Sequence, residues 1–104
     1  MATDQLRIAV EGDPPAIRLI GEVDMANAEE MRSSIERLRS NGSPISLDLT
    51  ELRFIDTRGI RALMDVAMAP GRGPLVLKGP SATFMKVMKI VGALELDGLD
   101  IVIE

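Results

Sequence analysis

A chain of 104 residues that is 46% hydrophobic and 27% charged is one domain's worth of core-forming, soluble sequence. Its net charge of −4 disfavours nucleic acid, whose phosphates need a basic face, and two Phe with no Trp or Tyr give no platform for stacking bases. Cys and His are both absent, which excludes disulfides, thiolate nucleophiles, zinc sites of the usual ligand set and a histidine general base.

The N-terminal stretch MATDQLRIAVEGD has no basic segment followed by a long apolar one, so it does not read as a signal peptide. No apolar run approaches the roughly 20 residues a membrane helix needs. A cytoplasmic protein without membrane insertion is the expectation. Leu6, Ile8 and Val10 alternate as in a half-exposed strand. After the turn signal GDPP at 12–15, AIRLIGEV from Ala16 to Val23 reads as a second strand with Ile17 and Leu19 on one face. Met25, Ala28, Met31, Ile35 and Leu38 then recur at helical spacing, and Arg32, Glu36, Arg37 and Arg39 occupy the opposite face.

Beyond NGSP at 41–44, Ile45, Leu47 and Leu49 alternate again, and the strand reads on to the buried-looking Phe54. Ile60, Leu63, Met64 and Ala67 make a second helical stripe, and Leu75 to Leu77 is a short buried strand. Phe84, Val87, Met88 and Val91 make a third stripe, with Ser81 as N-cap and Gly92 just past the end. Leu99 to Ile103 is a last strand. The seven Met fall mostly in these stripes and read as core filler.

The order β, β, α, β, α, β, α, β predicts a single α/β domain over residues 1–104. The hairpin pairs the first two strands antiparallel, and each later crossing through a helix pairs strands in parallel. The sheet is therefore mixed and mostly parallel, of about five strands, with three helices packed largely on one face. In parallel βα units the strand C-termini gather at one edge. The turns at Gly21–Met25, Phe54–Arg58 and Gly79–Ser81 should converge there.

Those turns carry the residues able to do chemistry. Thr57 or Asp56 suits the N-cap of the second helix, and an exposed cap hydroxyl is also able to accept a phosphoryl group at a helix start that tolerates its charge. Gly59 either lets the helix pack closely on the sheet or lets a partner chain approach a bare backbone. Asp24 is a cap of the first helix, or shares that work with Asn27 and Glu30, and stands beside Asp56 as a recognition residue. Arg58 and Arg61 lie one turn apart on the exposed side, where they can pair with a phosphate or a partner carboxylate. Lys86 and Lys89 read as solvated. A receiver-like phosphoacceptor needs an early acidic pair for Mg²⁺, an acceptor Asp at a strand end and a downstream Lys. RLIGEVD does not supply the pair, and Asp48 falls mid-strand.

GEVDMANAEEMRSSIERL, followed by ISLDLTELRFIDTRGIRALMDV, resembles the STAS family, the anti-sigma factor antagonists and their relatives. The likeness runs over nearly the whole chain. Its most specific parts are the G-x-x-D turn at Gly21 and Asp24, the LDLT–FID strand end, and D-x-x-G-I-x-x-L at Asp56, Gly59, Ile60 and Leu63. The resemblance implies a mixed sheet with helices on one face and a non-catalytic job in bacterial signal transduction, with no cofactor. Antagonists of this type bind an anti-sigma factor that is also a serine kinase and so release a sigma factor. The kinase ejects the antagonist by phosphorylating it at the start of the second helix, and a PP2C-type phosphatase restores it. Other members are adaptors for transporters or stress-signalling assemblies, the alternative here.

Antagonists read D-S-S-G or D-T-S-G, with the acceptor serine directly before the glycine. Here that position is Arg58, which has no hydroxyl, and Thr57 stands one residue early. One residue turns a side chain by about 100° around a helix. Phosphoregulation at the usual position is thus excluded, and Thr57 is the remaining candidate acceptor. The partner-binding expectation rests on Asp24, Asp56, Thr57, Arg58, Gly59 and Arg61, with Arg58 facing an acidic spot on the partner.

Overall fold

Ile17, Leu19 and Val23 are almost wholly buried, whereas Ala16, Arg18, Ile20 and Glu22 between them are half-exposed. That two-residue period fixes β2 (Ala16–Val23) with one face on the core and the other toward solvent. The computed structural model describes residues 5–12, 16–38, 44–69, 73–90, 92 and 101–104. Among them the chain order is β1 (Leu6–Glu11), β2, α1 (Ala28–Leu38), β3 (Ile45–Asp48), β4 (Leu52–Ile55), α2 (Thr57–Met68), β5 (Leu75–Lys78), α3 (Ala82–Ile90) and β6 (Ile101–Ile103).

β1 pairs antiparallel with β2, from Leu6 opposite Gly21 to Glu11 opposite Ala16. All other pairings are parallel, and the sheet runs β1-β2-β3-β5-β6. β4 stands off this path and pairs with β2 beyond the end of β3, so the sheet has six strands where about five were expected. The two segments are not one strand because Asp48 breaks the run. Its carboxylate accepts from the Thr50 amide at 2.9 Å and the Thr50 hydroxyl at 2.6 Å, while Leu52 N–H donates to the Leu49 carbonyl at 3.1 Å. A side chain that bonds the backbone two residues on makes a turn without Gly or Pro.

β2 serves both partners by shifting register between Gly21 and Glu22. Gly21 sits at φ 107°, and a Cβ there would lie 2.1 Å from the Gln5 carbonyl oxygen, so only glycine fits this irregularity. Its N–H donates to the Glu51 carbonyl at 3.1 Å, bridging the gap between β3 and β4.

The core lies between one sheet face and the helices. Ile17, Leu19, Ile45, Leu47, Leu75 and Leu77 meet Met31 and Ile35 of α1, Ile60 and Leu63 of α2, and Phe84 and Met88 of α3. Each fully buried side chain of this size contributes about 1.5–3 kcal/mol over leaving it in water. Ser46, Asp48 and Val76 on the other face are half-exposed, as one-sided helix packing requires. No helix among the described residues is long and apolar enough to cross a membrane.

Three expectations need correction. Met25 precedes α1 and is 68% exposed, because the chain is still in the turn there. Phe54 is 51% exposed although its neighbours Leu52 and Ile55 are buried. Met68 is 58% exposed at the end of α2, so the methionines divide between core and surface. Lys86 and Lys89 are exposed, as expected. Arg39, Val91, Leu99 and Asp100 lie outside the described residues.

Candidate functional site

The rim of interest begins where β2 and β4 end side by side. Val23 is in register with Ile55, and Asp56 N–H donates to the Val23 carbonyl at 3.1 Å. Asp24 and Asp56 are the next residues on two adjacent parallel strands, so their juxtaposition follows from the sheet itself.

Each aspartate starts a helix. Asp56 has extended backbone angles, φ −93° and ψ −177°, and its Oδ1 accepts from Gly59 N–H at 2.9 Å while its carbonyl accepts from Ile60 N–H at 3.0 Å. Asp56 is thus the N-cap of α2, and Thr57 is the first helical residue. Thr57 is exposed, and its hydroxyl has no hydrogen-bond partner among the described residues. At the first helix, Asp24 Oδ1 accepts from Ala26 N–H at 2.9 Å, and Asn27 Oδ1 accepts from Asp24 N–H at 3.0 Å. Asn27 also donates through Nδ2 to the Glu22 carbonyl at 3.1 Å, which satisfies a side chain that is nearly buried. Asp24 and Asn27 share the cap, and Glu30 is exposed on the following turn.

Gly59 is buried. A Cβ there would stand 2.5 Å from Ile55 Cγ1 and 2.7 Å from Val23 Cγ1. Close packing of α2 on the two strand ends therefore accounts for the glycine. The third expected turn, Gly79–Ser81, reaches the rim from the other side of β4. Ser81 and Thr83 line a shallow recess with Arg53 and Phe54, and Ser81 Oγ caps α3 by accepting from Phe84 N–H at 3.0 Å. At the far end Gly92, at φ 74°, donates its N–H to the Lys89 carbonyl at 3.1 Å. The first two turns meet directly; the third shares its recess with Phe54 and Ile55 of the second.

Between α1 and α2 the rim opens into a groove of about 340 Å³. Met25, Ala28 and Arg32 form one wall, and Arg58, Arg61 and Asp65 the other. Arg32 is already engaged, since its Nε donates to Glu29 Oε1 at 3.0 Å and its Nη2 also meets the same carboxylate. That contact holds the Glu29 carboxyl below its usual range and raises the Arg32 guanidinium above its own. Arg58 and Arg61 are exposed and make no ion pair among the described residues. The groove was not legible in the sequence, because Met25 fits the core stripe by spacing alone.

Away from the rim, Arg18 sits on the open sheet face near Glu11 at 3.5 Å, Asp48 at 3.8 Å and Glu51 at 3.5 Å. Asp48 is the last residue of β3 and not mid-strand as expected, because its own side chain turns the chain there; the Thr50 hydroxyl and amide hold its carboxyl below the ordinary range. It is committed to its turn rather than presented as a phosphoacceptor. The described residues contain no group of three or more acidic side chains placed to hold a metal ion.

The family model described as "Mlab, STAS domain" matches residues 6–102. No curated protein sequence matches the chain. A crystal structure of an anti-sigma factor antagonist from Mycobacterium paratuberculosis superposes with a TM-score of 0.69 at 20% identity, over 97% of this chain and 88% of that one. The unphosphorylated form of the anti-sigma factor antagonist SpoIIAA does so with a TM-score of 0.61 at 24% identity, over 94% and 88%.

Proposed function

The chain belongs to the STAS domain family, and from that premise we propose that it is a non-catalytic regulatory domain that docks a protein partner at the rim joining α1 and α2. The observation that carries this reading is the pair of capped helix starts on adjacent strand ends, with Thr57, Arg58 and Arg61 exposed beside them. A rigid sheet edge holds those groups in one arrangement, which is what recognition of a folded partner requires. The partner is an anti-sigma factor of the serine-kinase type, and binding it frees a sigma factor in the cytoplasm. Both structural neighbours are anti-sigma factor antagonists by description, which supports the assignment.

Arg58 removes the usual acceptor, so docking is constitutive or is controlled through Thr57 and a PP2C-type phosphatase. Thr57 has the exposure an acceptor needs. Incubating the purified domain with such a kinase and ATP should add one phosphate that is lost in Thr57→Ala; no mass gain would make docking constitutive. The docking reading itself is tested by binding to purified ATP-binding anti-sigma factors. Tight association that Asp24→Arg weakens is the expected result, and absence of any association would overturn it.

A second reading is favoured by the same arginine and by the family model's description, which is not that of an antagonist. In it the domain is an adaptor on a transporter ATPase or a stress-signalling complex. Binding to a purified transporter ATPase in preference to the anti-sigma factors would establish this alternative.

A further inference from the structure

We propose that the groove between α1 and α2 receives an acidic side chain of the partner protein, held between Arg58 and Arg61, with an apolar neighbour of that acid laid over Met25. This rests on the docking reading above and names what the partner must present. The first turn of α2 contains no acidic residue and places a cation at its second position. A positive charge there opposes the positive end of the helix dipole, which is unfavourable. Sequences break such local rules where a function offsets the cost.

Glu29 and Asp65 also line the groove, but among the described residues neither forms an ion pair with Arg58 or Arg61. Arg32 is engaged with Glu29, and the Asp65 carboxylate acts on Arg32 through its charge. Arg58 and Arg61 are left without an ionic partner among the described residues. Two guanidinium groups three residues apart on a helix lie on neighbouring positions of one face, and each offers paired donors that match a carboxylate. The molecule as a whole is acidic, with a net charge of −4, so two unpaired guanidinium groups on one helix face stand out against it. Met25 beside it is a large, flexible, exposed apolar side chain of the kind that adapts to a partner surface. The volume of about 340 Å³ admits side chains rather than a folded domain, so the partner projects residues into it.

The test is selection of random peptides displayed on phage against the intact domain, followed by affinity measurements on the enriched peptides. Enriched sequences should carry Asp or Glu next to Leu, Ile, Phe or Met. Arg58→Glu combined with Arg61→Glu should weaken their binding on the order of tenfold or more. Lys86→Glu combined with Lys89→Glu, an equal change of charge on exposed α3, should leave binding unchanged. Enrichment without acidic residues, no enrichment, undiminished binding by the double variant, or preference for phosphorylated over carboxylate peptides would each overturn the inference. Failure of the anti-sigma factors to bind while acidic peptides do would instead overturn the functional assignment and leave the groove's chemistry standing.

Discussion

Gly59 shows how much one absent methyl group decides. Val23 and Ile55 approach the α2 backbone so closely that a Cβ would overlap both. Gly59→Ala should therefore lower stability by about 1–3 kcal/mol through overpacking, even though Ala is the better helix former. Thermal melts followed by far-UV circular dichroism would read this as a fall in Tm of roughly 4–8 °C per kcal/mol. An unchanged Tm would mean that α2 can move off the strand ends. From sequence the glycine had two explanations of equal standing, because a bare backbone looks the same whether a strand or a partner covers it.

At Asp48 the expectation concerns pH. The Thr50 hydroxyl and amide hold its carboxyl below the unperturbed value of 3.8, so the folded state favours the carboxylate. A depressed folded value adds stability at pH above the unfolded value, and that stability is lost as pH falls through the folded value. Thr50→Val removes the hydroxyl donor and keeps the shape of the side chain. The variant should be less stable than the parent near neutral pH, and the gap should close as pH drops below about 4. Urea midpoints across that range measure it, and a gap independent of pH would assign the loss to packing.

At the scale of elements, helices were easier to foresee than strand divisions. A helix is a long periodic stripe closed by caps, and Asp56 and Ser81 both occupy the cap positions their residue types allow. The break between β3 and β4 left no comparable mark. Residues 45–55 contain no Gly or Pro, and the signal for the turn is only an aspartate two residues before a threonine. β4 also has buried ends and an exposed middle, so its pattern has no period of two. Its pairing to β2 nonetheless creates the site, since it brings Asp56 beside Asp24. The cap at that junction is testable by itself. Asp56→Ala should cost about 1 kcal/mol by leaving the Gly59 N–H without its acceptor, and Asp56→Asn much less. Equal losses in the two variants would mean that charge, not capping, matters there.

For the whole molecule, the buried residues of sheet and helices form one continuous cluster, which has a consequence for unfolding. A single core should melt as a unit, with urea dependence of about 1–3 kcal/mol/M for a domain of this size. The lack of Trp and Tyr removes intrinsic fluorescence as a probe, but methionine offers a replacement. Met31 in α1 and Met88 in α3 are fully buried, and Met25 and Met68 are exposed. Methyl resonances of Met31 and Met88 should change at the same urea concentration as the far-UV signal, while Met25 and Met68 start near their unfolded positions. Coincidence would mean that the rim is supported by every layer of the domain, so that core substitutions far from Arg58 weaken docking only by unfolding the whole. Earlier loss of Met88 would instead separate α3 from the β2–β4 junction, and the rim would keep Asp24 and Asp56 together after the other half had opened.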